Sequence, residues 1–135
     1  MRSPSRAQAG SSRYFERGFV TYSNGAKVEL LGVDAKAIEA HGAVSEQVAA
    51  QMAAGARKKA GADVGIGVTG IAGPDGGTRL KPVGTVFIAV ASQQGAGGRK
   101  YTFVGTRHTV RERAAQAALD LARRHLRGLT LEPKL

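Results

Sequence analysis

Cysteine is absent from this chain of 135 residues. Without a thiol there is no disulfide scaffold, no thiolate zinc site and no cysteine nucleophile. Aromatic residues are scarce, three Tyr and four Phe, and no basic run alternates with them as a base-stacking surface requires. No apolar run approaches the roughly 20 residues that carry a helix across a bilayer, so no membrane partner is expected. Residues 1–10 are basic and polar and lack the apolar centre of a secretory signal; a cytoplasmic location is expected. His41, His108 and His125 lie far apart, with no HxH or HxxxH spacing, which argues against a metal site. Asp63 and Asp75 are too few for a paired-carboxylate mechanism.

What is present is enough for one folded domain. Hydrophobic residues make up 42%, well above a disordered composition, and a chain of this length buries about two-thirds of its unfolded surface. Twenty Lys and Arg against ten Asp and Glu leave a formal charge of +10. Such a field attracts nucleotides and other anions. The basic residues crowd the two ends of the chain rather than forming a face, so a nucleic-acid partner is not expected.

Element by element, residues 15–23 (FERGFVTYS) are rich in β-formers and read as a strand. Asn24-Gly25 reads either as a hairpin turn or, with Asn24 as N-cap, as the start of a short helix. Asp34 caps a short helix closed by Gly42, and Ser45 caps a longer one stopped by Gly61. In the longer helix Val48, Met52 and Ala56 repeat every four residues beside Ala49 and Ala53, a small-residue face suited to packing on a sheet. Residues 63–68 read as a strand buried on both sides. Residues 82–92 give the strongest strand signal, 93–98 a turn, and 100–104 the second arm of an antiparallel hairpin. Thr109 and Glu112 form a capping box for a last helix that runs to about Arg127. The expected fold is an α/β layered domain, a mixed β-sheet packed by helices. Its expected organisation is a flexible lead over 1–10, the domain over 11–129 and a tail over 130–135.

Two segments carry candidate chemistry. Thr69-Gly70-Ile71-Ala72-Gly73-Pro74-Asp75-Gly76-Gly77 follows directly on a strand. Ligands in open α/β sheets sit beyond strand ends, and glycine lets backbone N–H groups approach an anion. It matches neither dinucleotide-binding nor P-loop spacing, and the pattern alone leaves open whether the loop binds or only turns. The second segment, Tyr22-Ser23-Asn24-Gly25-Ala26-Lys27, places a phenol, a hydroxyl, an amide and an amine together. A Lys in a partly dry pocket beside a Tyr can act as a base. A surface turn with a solvated Lys fits the same pattern.

YFERGFVTYSNGAKVELLGV, HGAVSEQVAAQMAAGA, GIGVTGIAGPDGG and KPVGTVFIAV, in this order and spacing, resemble the C-terminal domain of the CinA (competence/damage-inducible protein) family. The resemblance covers about residues 11–129. It implies a nicotinamide-nucleotide amidohydrolase, which hydrolyses the carboxamide of nicotinamide mononucleotide (NMN) to nicotinic acid mononucleotide and ammonia. It implies serine-type chemistry with no cofactor and no metal. Tyr22, Lys27 and Thr69 match catalytic positions, and Gly70, Ala72, Gly73, Gly76 and Gly77 the substrate-binding loop. Arg107, in GTRHTVR, matches an arginine suited to the nucleotide phosphate.

The resemblance departs at the start. The family's nucleophile, by this reading, is the Ser of an Ala-Glu-Ser-Cys-Thr-Gly-Gly segment opening a helix about four turns before Gly10-Ser11-Ser12. No such segment is present, and Ser3 and Ser5 lack its flanking residues. The chain is therefore expected to be shortened, to lack that helix and a first strand, and to be inactive as written. A missing strand bares a sheet edge, which favours a homo-oligomer. A non-catalytic nucleotide-binding or oligomerising module is the alternative expectation.

Overall fold

Ser23, Asp34, Ser45 and Thr106 each offer a side-chain oxygen to a backbone N–H within the following turn, and a helix starts after each. The computed structural model describes residues 17–129. The helices are α1 (Asn24–Leu31), α2 (Ala35–His41), α3 (Glu46–Ala60) and α4 (Arg107–Leu126); the strands are β1 (Val64–Gly70), β2 (Thr85–Ser92) and β3 (Gly95–Thr102). The strands form one sheet in the order β1-β2-β3. β1 pairs antiparallel with β2 from Val64↔Ser92 to Gly70↔Val86, and β2 pairs antiparallel with β3 from Thr85↔Thr102 to Ser92↔Gly95.

Period-two alternation sorts the strand residues to two faces. Val86, Ile88 and Val90 pack with Val110, Ala114, Ala118 and Leu121 of α4. Ala89 and Ala91 pack with Ala49 and Ala53 of α3, beside Phe87. On the outer side of α3, Val48 and Met52 join Leu31 and Val33, which brings α1 onto it. The order through the molecule is α4, sheet, α3, then α1 and α2. Small residues set the β1–α3 spacing: a Cβ at Gly67 would lie 2.8 Å from Ala53 N and against the Ala49 carbonyl.

The layered α/β domain is as read from the sequence, as are the caps and stops of α2 and α3. Other expectations need correction. Both strand pairings are antiparallel, so the sheet of the described residues is not mixed. The strand expected over 15–23 does not form at 17–22. β-formers need a ladder partner, and here Phe19 instead packs on the Leu31–Val33–Val48–Met52 cluster; Phe15 and Glu16 lie outside the described residues. At Asn24-Gly25 the helix prevails over the hairpin, with Ser23 rather than Asn24 as its cap: Ser23 Oγ accepts from Ala26 N at 3.0 Å. The turn expected over 93–98 shrinks to Gln93-Gln94, because the glycines from Gly95 onward join β3. α4 starts at Arg107, not after Thr109. Thr106 Oγ1 accepts from Thr109 N at 3.2 Å, and Glu112 faces His108 at 3.4 Å. β1 is not buried on both sides, since Val68 is 39% exposed. The expected lead and tail, 1–10 and 130–135, lie outside the described residues. No helix of the described residues is long and apolar enough to cross a membrane.

Candidate functional site

α1 has only eight residues, yet it buries two of them one turn apart, Lys27 and Leu31, and Leu31 packs on Val48 and Met52 of α3. Lys27 is only 7% exposed. Its Nζ donates to the Thr21 carbonyl at 2.9 Å. Burial pushes the ammonium pKa below the ordinary lysine value, because desolvation penalises the charged form. Tyr22 differs from the expectation of a Lys–Tyr pair in a dry pocket. It is 86% exposed, and the amine bonds to the carbonyl just before it.

Thr69 takes the α3 side of β1, the side to which Gly65 and Gly67 also point. It is buried, and its hydroxyl donates to the Ala43 carbonyl, in the α2–α3 connection, at 2.8 Å. Lys27, on the helix beyond α3, lies on this same side of the sheet.

The glycine loop leaves β1 and returns to β2 over residues 71–84. Its base is closed by Ile71 N donating to the Thr85 carbonyl at 2.9 Å and Gly84 N to the Ile71 carbonyl at 2.7 Å. Gly70 lies against Val86, where a Cβ would be 2.8 Å from Cγ2. Ala72 is half-buried against the α4-side core. Gly73 is buried with φ +85°, and a Cβ there would press on Val83. Gly77 also packs on Val83, 2.6 Å from its N for a notional Cβ, while a Cβ at Gly76 would make only an ordinary contact with Ile71, at 3.6 Å. Residues 74–80 are all exposed.

Arg107, the first residue of α4, donates from Nη1 to the Gly73 carbonyl at 3.2 Å. It therefore reaches the loop, with one donor spent on the loop's own backbone. Lys81, which sequence reasoning did not single out, donates from Nζ to the His41 carbonyl at 2.7 Å. Its one visible signal was a cation inside a glycine-rich loop. The Ala43 and His41 carbonyls carry no sequence signal. Among the described residues, no group of three or more His, Asp and Glu is placed to hold a metal.

On one side of the sheet lie a fixed threonine hydroxyl on β1 and, beyond α3, a buried amine of lowered pKa; the glycine loop is tied by two cations, Arg107 and Lys81. A desolvated amine is the type of group that moves a proton, and glycine-rich backbone the type that accommodates an anion.

The family model of the CinA C-terminal domain matches residues 5–126. A CinA-like protein of Mycolicibacterium vanbaalenii is 56% identical over 122 residues, covering 90% of this chain and 29% of that protein. A CinA-like protein of Geotalea daltonii is 54% identical over 118 residues, covering 87% and 29%. The chain thus spans under a third of these curated relatives. Among solved structures, the competence damage-inducible protein A of Klebsiella pneumoniae superposes with a TM-score of 0.87 at 35% identity, covering 93% of this chain and 78% of that one. The competence/damage inducible protein CihA of Agrobacterium tumefaciens gives 0.83 at 41%, covering 85% and 71%.

Proposed function

The chain belongs to the CinA C-terminal domain family, and from that premise we propose that its site serves the hydrolysis of the NMN carboxamide to nicotinic acid mononucleotide and ammonia. The observation that carries this reading is Lys27: a buried lysine whose ammonium is disfavoured by desolvation, on the same side of the sheet as Thr69. Desolvation favours loss of the ammonium proton, and an amine so relieved can take the proton of an attacking hydroxyl more readily than an ordinary lysine. Thr69 holds its hydrogen on the Ala43 carbonyl, so its role here is orientation and the attacking hydroxyl is a serine's. Backbone N–H groups of the Gly70–Gly77 segment stabilise the tetrahedral oxyanion. Arg107 keeps further guanidinium donors beyond the one given to Gly73, and these suit the nucleotide phosphate. Attack forms an ester and releases ammonia, the amide nitrogen leaving with the proton that Lys27 carried; water then cleaves the ester. Self-association belongs to the same reading, since β1 and β3 each leave one edge without a strand among the described residues.

The test is ammonia release from NMN. Turnover by the chain as it stands would locate the attacking serine inside it. Turnover only after an upstream serine segment is supplied would locate it outside. In whichever form is active, Lys27→Met should lower kcat by at least about 10², the usual contribution of a positioned base. The rate should climb with pH as Lys27 loses its proton, over a limb lying below 10.5. Full activity in Lys27→Met removes the basis of the proposal, and no turnover in either form favours a non-catalytic nucleotide-binding module.

A further inference from the structure

We infer that Lys81 and Arg107 are positioning residues, two cations that clamp the glycine loop from the two sides of the sheet. The effect on turnover rests on the deamidase reading; the clamp itself does not.

The loop has little else to order it. Residues 74–80 are exposed, and the apolar contacts flanking them are Ala72 against the α4-side core and Val83 beside Gly73 and Gly77. Glycine-rich backbone loses more entropy on ordering than any other. The tethers are polar and sit at both ends of the exposed stretch. Arg107 holds the Gly73 carbonyl from α4. Lys81 holds the His41 carbonyl, at the end of α2, on the α3 side.

The anchor point for Lys81 is itself rigid. Three successive carbonyls of the α2–α3 connection are each taken by a different side chain: His41 by Lys81, Gly42 by Ser45 at 2.8 Å, and Ala43 by Thr69. Ser45 caps α3 and Thr69 belongs to β1. Lys81 thereby ties the loop to the element that orients Thr69. Its backbone is pinned too, with Thr78 N donating to the Lys81 carbonyl at 2.8 Å and Lys81 N to Thr78 Oγ1 at 3.0 Å. Gly42 admits the amine: a Cβ there would sit 3.2 Å from Lys81 Nζ.

Arg79 lies inside this turn, so trypsin reports on the clamp without any ligand. A protease needs an extended segment, and cleavage of the Arg79–Leu80 bond follows the fraction of open loop. The Lys81–Pro82 bond resists trypsin because proline follows. In the 135-residue chain, Lys81→Met should speed release of the fragment beginning at Leu80 by roughly fivefold, the population one net hydrogen bond controls. Arg107→Met should do the same, and Lys81→Arg should restore the original rate. Cleavage after Arg57 and Lys58, in α3, should not change. An unchanged rate at Arg79 in Lys81→Met, or equal acceleration in α3, overturns the clamp. In the form that deamidates NMN, Lys81→Met should raise KM more than it lowers kcat, with rescue by Lys81→Arg. An unchanged KM and kcat overturns the positioning role. Failure of the wild type to turn over NMN counts against the deamidase reading, and the cleavage experiment still decides the clamp.

Discussion

At Lys27 the cost of burying an amine and the use of that amine meet in one side chain. The folded state disfavours its charged form, so its pKa falls on folding. Well below the folded pKa both states are protonated and folding carries the full desolvation penalty. The penalty fades as pH rises from the folded pKa toward the unfolded value of 10.5. Lys27→Met should therefore stabilise the protein at neutral pH, with the gain shrinking as the pH approaches 10.5. Urea unfolding at a series of pH values measures this. A difference that stays level or grows with pH would show that the Thr21 hydrogen bond, not desolvation, dominates there. The sequence singled out Lys27, Tyr22 and Thr69 as residue types. It did not separate them by environment: Lys27 is buried, Tyr22 is in solvent and Thr69 is tied to Ala43, and none of this follows from neighbours along the chain.

Among the elements, the α1–α3 contact turns on Gly55. Within a helix, alanine is preferred over glycine by about 1 kcal/mol, and propensity alone predicts that Gly55→Ala stabilises. Tertiary contact reverses the sign. A Cβ at Gly55 would lie 2.7 Å from the Leu31 carbonyl carbon and against its oxygen. Backbone cannot yield as a side-chain tip does, so α1 must lift from α3. Gly55→Ala should cost about 1–3 kcal/mol by overpacking and lower Tm in thermal unfolding, while raising the helicity of an isolated α3 peptide. An unchanged or raised Tm for the variant would show that α1 is loosely seated. The caps of α2 and α3 were legible because a cap and its turn sit within four residues. The strand expected at 15–23 was not, because a strand exists only where a neighbour offers a ladder. The start of α4 was misplaced by a second threonine with equally good local chemistry, Thr109, three residues after the true cap.

For the whole molecule, the charge of +10 is a long-range property that no single contact expresses. Exposed charges act through solvent and are screened over about 8–10 Å at moderate salt. If NMN is the substrate, its phosphate should be drawn by this field and by Arg107. KM for NMN should then rise with ionic strength, while kcat holds. The matching nucleoside, which lacks the phosphate, should show little salt dependence. Steady-state kinetics with both compounds across a salt series checks this, and parallel behaviour of the two would remove phosphate attraction from the account.

What the sequence determined by itself was local or motif-borne: the caps, the small-residue face of α3, the strength of β2, the glycine loop beyond β1, and the family, through segments kept in order and spacing. These signals act over one helical turn or one strand, where the chain's own geometry brings residues together. What only the tertiary structure decided was long in sequence. Thr69 finds Ala43 across 26 positions, Arg107 finds Gly73 across 34, and Lys81 finds His41 across 40. Such partners meet only after helices dock on the sheet, and docking follows the packing of Ala49 and Ala53 against β2 and the fit of Gly67 beneath α3. The depth of Lys27 and the tethering of the loop are products of that docking, which no short window of sequence contains.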